Sequence, residues 1–305
     1  MKILIFGSTG LVGSSVKRIL EKNTNFRKII ASTRNEVDLF SFDEVSKFIN
    51  EVKPDIIVNA AAKVGGILAN DTYKADFILE NLKINTNLLE AIIPNNKIKL
   101  INLGSSCIYP LNASNPIHET SFMTGKLEPT NSPYAMAKIS AIELGRAISF
   151  QYGHKIINLM PTNLYGPNDN FSEKDSHVIP GLISRMHKAK MNDQLNFEIW
   201  GSGNPKREFL YVDDLSDAIN FIIENNIQDD LINIGSNIEV SINNLVLKIK
   251  KIIKFDGTIS NNLNLPDGNP RKLLDSKKIL SYGWKPKTDL EKGLNLTYEW
   301  YLNNL

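Results

Sequence analysis

The sequence contains one cysteine in 305 residues, which excludes an internal disulfide framework and favours the reducing cytoplasm. It has no apolar run of about 18 residues, the length that a membrane-spanning helix needs. Neither sign of charge dominates, since the net charge is +2. This small charge gives no reason to expect a nucleic acid or a membrane surface as partner. No group of His, Cys, Asp and Glu has metal-ligand spacing, so we predict no metal site.

What is present is the pattern of an α/β protein. Short apolar runs alternate with amphipathic helical segments, which predicts a doubly wound parallel sheet of the Rossmann type. The length suits one large or two modest domains. We expect a dinucleotide-binding domain from residues 1–163 and 209–238. A smaller C-terminal substrate domain, from residues 164–208 and 239–305, is expected to interleave with it.

A glycine-rich loop follows the first predicted strand, residues 3–6, and opens the first predicted helix. In a Rossmann fold the first glycines let the backbone approach a pyrophosphate, and the last lets the helix pack close to the strand. The strand–loop–helix context favours dinucleotide binding over a plain turn. The predicted cofactor contacts in this loop are Gly7, Thr9, Gly10, Leu11, Val12 and Gly13.

The end of the second predicted strand, residues 28–31, indicates which dinucleotide binds. NAD enzymes usually place an acidic residue there for the ribose 2′-hydroxyl, whereas this chain has Arg34. A guanidinium can pair with a 2′-phosphate, so NADP(H) is the predicted cofactor, with a solvated loop arginine as the alternative. Two interpretations of Asp38 stay open: it contacts the adenine end of the cofactor, or it caps the following helix.

A further predicted strand, residues 99–103, leads directly to candidate catalytic residues. Two serines and the only cysteine follow it, at positions 105–107. In an open α/β sheet, ligands bind beyond the carboxyl ends of the strands. The strand is therefore expected to deliver two hydroxyls and a thiol to the reaction site.

A proton donor is predicted on the next helix, where Tyr134 and Lys138 are four residues apart and share a face. An ammonium beside a phenol stabilises the phenolate and is expected to lower the tyrosine pKa. Such a phenol can protonate a carbonyl oxygen while hydride reaches its carbon. A tyrosine and a lysine four residues apart are common by chance. The pair indicates catalysis here because it follows a glycine loop and a strand that ends in Ser-Ser.

Seven segments together resemble the extended short-chain dehydrogenase/reductases that act on nucleotide sugars. More narrowly, they are similar to the GDP-L-fucose synthase family of NADPH-dependent 3,5-epimerase/4-reductases, whose substrate is GDP-4-keto-6-deoxy-D-mannose. The segments follow the order of the family and span nearly the whole chain. They are residues 60–70, 103–110, 127–138, 160–170, 176–180, 200–214 and 267–275.

The resemblance implies a role for each catalytic residue. Ser105, Tyr134 and Lys138 match a reductase triad: the tyrosine protonates O4, the lysine holds the nicotinamide ribose, and the serine binds the substrate oxygen. Cys107 and His177 match an epimerase acid/base pair. A C4 ketone acidifies the protons at C3 and C5, so a thiolate can remove one and an imidazolium can return one on the other face.

The resemblance also implies binding contacts and an assembly. Further cofactor contacts are Ala61, Leu103, Gly104, Tyr134, Lys138, Pro161, Asn163, Leu164 and His177. The GDP-linked 4-keto sugar would contact Ser106, Cys107, Asn163, Arg185, Trp200, Arg207, Asp267 and Lys272, with cations meeting the pyrophosphate. Two copies would join through a four-helix bundle of residues 74–93 and 134–152. Thr9 stands where relatives carry arginine, so the preference for NADP rests mainly on Arg34.

Other functions fit part of the pattern. The closest keeps the 4-reductase and changes the substrate to a GDP-4-keto-6-deoxy-heptose or an already epimerised sugar, with Cys107 and His177 idle. A 4,6-dehydratase or a 4-epimerase shares the fold, but Ser-Ser-Cys stands where dehydratases typically carry an acid pair. A non-catalytic dinucleotide sensor is the alternative from another class, and the presence of Tyr134 and Lys138 argues against it.

Overall fold

The computed structural model describes residues 1–172, 175–265 and 267–305, so positions 173, 174 and 266 of the predicted substrate domain lie outside the described residues. The strands are β1 (Lys2–Phe6), β2 (Lys28–Ala31), β3 (Ile56–Asn59), β4 (Lys99–Leu103), β5 (Lys155–Pro161), β6 (Asn163–Tyr165), β7 (Asn196–Trp200), β8 (Lys206–Tyr211), β9 (Leu231–Ile234), β10 (Glu239–Ser241), β11 (Thr258–Asn262) and β12 (Arg271–Lys272). The α-helices are α1 (Leu11–Leu20), α2 (Phe42–Val52), α3 (Ile67–Thr72), α4 (Lys74–Ile92), α5 (Ser132–Tyr152), α6 (Val178–Met191), α7 (Val212–Glu224), α8 (Ile242–Ile253), α9 (Lys277–Ser281) and α10 (Leu290–Leu302). None of these helices has the length and apolar character needed to cross a membrane.

The main sheet is parallel, with the strand order β2-β1-β3-β4-β5-β9. The chain runs outward from β1 in one direction and then returns to build the other half, which is the doubly wound topology. Its central strands are buried on both faces; Ile3, Leu4 and Ile5 have no exposed surface. This two-sided burial explains why they are continuous apolar runs rather than alternating ones. The predicted Rossmann-type fold class is confirmed.

Helices cover both faces of this sheet. On one face α1 and α7 pack through Val16, Leu20 and Ile219. On the other face α2, α4 and α5 pack through Val45, Leu88 and Ile148. Each helix contributes its apolar stripe, so the sheet lies between two layers of helices.

A second hydrophobic core holds the smaller unit together. It joins α6, α8 and α10 through Met186, Leu245 and Leu294. Two small sheets accompany these helices: β8 pairs with β6, β10 and β12, and β7 pairs with β11. The later segment that carries Ile279 and Trp284 packs instead into the core of the main sheet. The division into two interleaved domains therefore stays a proposal, with the C-terminal region contributing to both cores.

Gly13 is the position of the glycine loop at which a larger residue would destabilise the fold. A Cβ at this position would lie 2.6 Å from the Gly7 carbonyl carbon and 2.8 Å from the Ser8 Cα, and both are backbone atoms that cannot swing away. We expect Gly13→Ala to lower the free energy of unfolding by about 1–3 kcal/mol, as overpacking does. Urea denaturation measures this change. Gly10→Ala is the control, because its Cβ would meet only the Gly7 oxygen, at 3.8 Å; equal losses in both variants would contradict the packing argument.

Candidate active site

A cleft of about 760 Å³ opens at the carboxyl ends of the main-sheet strands and extends to the smaller unit. It brings together the glycine loop, the end of β4, the start of α5 and the loops around α6 and β12. Of the site residues predicted from the sequence, Gly13 alone does not line it, because Gly13 lies beneath Gly7. The lining includes Thr9, Gly10, Leu11, Val12, Ala61, Leu103, Gly104, Ser106, Pro161, Asn163, Leu164, Arg185, Trp200, Arg207, Asp267 and Lys272.

The glycine loop has the form that a dinucleotide pyrophosphate requires. Gly7 has φ of +77°, and a Cβ there would lie 2.7 Å from the Ala61 nitrogen. Gly10 is the N-cap of α1 and has no side chain to satisfy the first N–H groups of the helix. Those N–H groups and the positive end of the helix dipole are suited to bind phosphate oxygens. The residues present therefore fit a dinucleotide.

The structure separates the two interpretations of Asp38. Its Oδ1 accepts a hydrogen bond from the Phe40 N–H at 2.9 Å, so the carboxylate closes a turn before α2. The cap of α2 is Ser41, whose Oγ accepts from the Glu44 N–H at 3.4 Å. The interpretation of Asp38 as the helix cap is wrong, and a contact with the adenine end of the cofactor stays a prediction, since Asp38 lines the cleft.

Arg34 lies exposed at the cleft margin, and it forms no ion pair with any other described residue. Its guanidinium is therefore available to a 2′-phosphate. We expect Arg34→Gln to weaken NADPH binding by about 10- to 100-fold, the worth of one or two charge-assisted hydrogen bonds, and to leave NADH binding nearly unchanged. Fluorescence titration with both nucleotides measures the difference.

Arg27→Gln is the matched control for the Arg34 experiment. Arg27 is also exposed, but it precedes β2 and does not line the cleft. Its substitution removes the same charge at the opposite end of the strand. An equal loss of affinity for NADPH and NADH in Arg34→Gln would show that Arg34 does not bind the 2′-phosphate.

Ser105, Tyr134 and Lys138 converge at the end of β4. Ser105 begins a short 3₁₀ turn over Ser106–Ile108, and its Oγ accepts from the Cys107 N–H at 3.3 Å. Pro133 lies in the first turn of α5, which presents Tyr134 and Lys138 on one face. The Lys138 Nζ donates to the Leu103 carbonyl at 2.7 Å and lies 5.8 Å from the centre of the Tyr134 ring.

The protonation of this triad differs from the sequence-based expectation. Burial raises the pKa of Tyr134, the negative charge of Cys107 raises it further, and a hydrogen bond with Ser105 opposes both effects. Burial dominates, so the pKa of Tyr134 is raised rather than lowered, and the contribution of Lys138 to it stays a prediction. Burial lowers the pKa of Lys138 itself to about 8. The tyrosine therefore keeps its proton at neutral pH, as a donor must.

Cys107 lies in the same 3₁₀ turn with 6% of its surface exposed, and it lines the cleft. Burial raises its thiol pKa, while the positive charge of Lys272, a hydrogen bond with Ser105 and the charge of Lys138 lower it. The sequence assigned Lys272 to the pyrophosphate, and the structure adds its proximity to the thiol. That proximity depends on how β12 pairs with β8, which no local pattern could indicate.

His177 is the N-cap residue of α6, and its side chain is 43% exposed in the cleft that also contains Cys107. Its Nδ1 lies 3.9 Å from Oδ1 of Asp169, a residue that sequence reasoning missed. The preceding segment is held by Gly66, whose N–H donates to the Asp175 carbonyl at 3.0 Å. A Cβ on Gly66 would lie 2.6 Å from the Ser176 backbone oxygen, which explains why position 66 is a glycine.

The far end of the cleft is cationic and has an aromatic wall. Arg185, Arg207 and Lys272 line it, and the Arg185 guanidinium lies 5.3 Å from the centre of the Phe197 ring. Burial lowers the pKa of Arg207, while the carboxylate of Asp267 opposes that effect. Trp200 presents a 62% exposed surface there. Three cations and an open aromatic face suit a nucleoside diphosphate.

Comparison with known proteins decides the family. The profile of the NAD dependent epimerase/dehydratase family matches residues 3–235. The chain belongs to this family. The epimerase/dehydratase-family proteins that it resembles include GDP-L-fucose synthase 1 of Arabidopsis thaliana, 47% identical over 304 residues that make up 100% of this chain and 94% of that protein. The GDP-L-fucose synthase of Escherichia coli K12 is 42% identical, covering 99% and 97% of the two chains.

A solved structure of the same family extends the comparison. The GDP-mannoheptose C4 reductase from Campylobacter jejuni, with NADP bound, superposes with a TM-score of 0.87 at 34% identity, covering 99% of this chain and 98% of that one. The predicted resemblance is confirmed. The roles assigned to individual residues stay predictions.

Proposed function

We propose that this epimerase/dehydratase-family protein reduces the C4 ketone of a GDP-4-keto-6-deoxy sugar with NADPH and epimerises C3 and C5 beforehand. The supporting observation is that one cleft contains both the Ser105–Tyr134–Lys138 set and the Cys107–His177 pair. The proposed sugar is that of the GDP-L-fucose synthases. NADP(H) agrees with Arg34 and with the cofactor in the similar Campylobacter reductase.

The reduction follows from the triad. NADPH supplies the hydride to C4 when it is bound. The Tyr134 hydroxyl gives its proton to O4 as charge develops there, and the Ser105 hydroxyl donates a hydrogen bond to the same oxygen. Lys138 holds the nicotinamide ribose from its position on the Leu103 carbonyl. Because burial keeps Tyr134 protonated, the donor is ready before the substrate arrives.

The epimerisation uses the acidity that the same ketone confers. The Cys107 thiolate removes the proton at C3 or C5, the C–H electron pair forms an enolate, and its negative charge lies on O4 beside Ser105 and Tyr134. Protonated His177 then returns a proton to the opposite face, which inverts the carbon and restores the ketone. Burial raises the pKa of the Cys107 thiol overall, and the positive charge of Lys272 opposes that rise, which favours the thiolate that starts this step.

Product NMR in deuterated water tests both steps. With GDP-4-keto-6-deoxy-D-mannose and NADPH, the expected product carries deuterium at C3 and C5, and one NADPH is consumed per sugar. If no GDP-4-keto sugar causes NADPH oxidation, the reductase function is wrong. A protein that binds NADPH without any turnover would instead be a dinucleotide sensor.

A reductase without epimerisation is the second candidate, favoured by the 34% identity to the Campylobacter GDP-mannoheptose C4 reductase. In that case the substrate is a GDP-4-keto-6-deoxy-heptose or an already epimerised sugar. The same NMR experiment separates the candidates, because reduction would then proceed without deuterium uptake at C3 and C5.

We further propose a homodimer, acting in the cytoplasm, that forms through α4 and α5. The two helices pack side by side, and each leaves a row of exposed positions four, seven and eleven residues apart along its outer face. Leu79 on α4 and Met136 and Phe150 on α5 are 53%, 43% and 95% exposed. A four-helix bundle with a second copy would bury them. Sedimentation equilibrium tests this assembly, and a species of 34.2 kDa at micromolar concentration would contradict it.

A further inference from the structure

We propose that Asp169 is a positioning residue for the epimerase acid: its carboxylate holds the His177 ring through Nδ1 and leaves Nε2 to serve the sugar. The inference rests on the proposed function and adds a residue to the same site. Asp169 lies in the loop between β6 and α6, and it lines the cleft together with His177.

The first observation is that the Asp169 carboxylate is buried and one of its oxygens lacks a hydrogen-bond donor among the residues that the structure describes. The Asp169 side chain is only 4% exposed, and its Oδ1 accepts the Asn170 N–H at 2.8 Å. Its Oδ2 is buried and has no hydrogen-bond partner in the described part of the chain. A buried carboxylate oxygen without a partner costs stability and calls for an explanation, and a role at the functional site is one.

The second observation is the position of the imidazole. His177 Nδ1 lies 3.9 Å from Asp169 Oδ1, which is too long for a hydrogen bond and close enough to become one by a small rotation of the ring. Hydrogen bonds between catalytic groups often shorten only when the substrate binds. The nitrogen bonded to a carboxylate fixes which nitrogen is left for chemistry, and here that is Nε2.

The backbone around His177 makes this arrangement specific. Gly66 holds the Asp175 carbonyl, and α6 begins at Val178, so the main chain of His177 is fixed from both sides. Rotation about the side-chain bonds is the freedom that remains, and a hydrogen bond to the buried carboxylate would restrict it. Restricting a proton donor to one orientation is what a stereospecific return of a proton to a carbon requires.

Nitrogen NMR tests the pair without any substrate, because a carboxylate 3.9 Å from Nδ1 already favours the tautomer with the proton on that nitrogen. With ¹⁵N-labelled histidine, the His177 signals are assigned by their loss in His177→Gln, since the chain has four histidines. We expect the Nδ1–H tautomer in the wild type and a shift toward Nε2–H in Asp169→Asn. Asp175→Asn is the matched control, because Asp175 is an exposed carboxylate of the same loop. Identical His177 signals in the wild type and Asp169→Asn would overturn the inference.

Kinetics then separate positioning from a structural role. We expect Asp169→Asn to slow deuterium exchange at C3 and C5 by about 10²-fold with an unchanged KM, and Asp169→Glu to recover part of the rate. Reduction of the already epimerised sugar is expected to change less than about twofold. Equal losses in exchange and reduction would show a structural role and overturn the inference. If the wild type reduces sugars without exchange, the epimerase proposal fails while the NMR result still decides the pair.

Discussion

Replacing Tyr134 with phenylalanine is expected to slow ketone reduction by about 10³-fold, the usual contribution of a general acid. The tyrosine hydroxyl is the proton source for O4, and the substitution removes that group alone. The ring is retained, so its edge-to-face contact with Phe77, at 6.2 Å between centroids, is kept and the fold is not disturbed. NADPH affinity is expected to change by less than about threefold, because the loss occurs only in the transition state.

The measurement is single-turnover oxidation of NADPH with an already epimerised sugar, which isolates hydride transfer from epimerisation. Tyr152→Phe is the control, since Tyr152 lies at the other end of α5 and its hydroxyl accepts a hydrogen bond from the neighbouring Gln151. A Tyr134→Phe rate above about a tenth of the wild type would assign the proton to another donor, and Ser105 would be the first candidate.

The strands and helices of the main sheet could be predicted well because they depend on patterns between residues that are close in the sequence. The apolar run 99–103 and the strand Lys99–Leu103 have the same bounds, and the predicted helix 74–93 ends one residue later than α4. Continuous burial produces continuous apolar runs, and the glycine loop has a fixed place between strand and helix. Nearly all predicted site residues share one cleft because most of them were assigned through the family resemblance, whose matching segments span nearly the whole chain.

The parts that the sequence missed depend on long-range packing. β12 has two residues, and its pairing with β8 brings Lys272 toward Cys107, so nothing in its own periodicity could reveal that contact. Asp169 looked like one more polar residue in a turn, and only its burial beside His177 distinguishes it. The pKa of Tyr134 was expected to fall because of its neighbour Lys138, but desolvation by the surrounding fold raises it.

Replacing Cys107 with serine is expected to abolish epimerisation and spare reduction. A serine hydroxyl has nearly the shape of the thiol but does not ionise near neutral pH, so it cannot act as the base. Deuterium exchange at C3 and C5 should fall by about 10³-fold. The contact that links this turn to the reductase site is made by the Cys107 backbone N–H with Ser105, and it survives the substitution.

Two measurements decide this prediction because Cys107 is the only thiol in the chain. Alkylation of the wild type with iodoacetamide modifies one site and should stop deuterium exchange at C3 and C5. The same treatment should leave ketone reduction by Cys107→Ser unaffected. Reduction of an already epimerised sugar by Cys107→Ser should stay within about threefold of the wild type, since the proton donor and the ribose contact are untouched. Exchange that persists in Cys107→Ser would place the base elsewhere in the cleft. Exchange absent from the wild type, with a GDP-4-keto-heptose still reduced, would instead favour the reductase-only function.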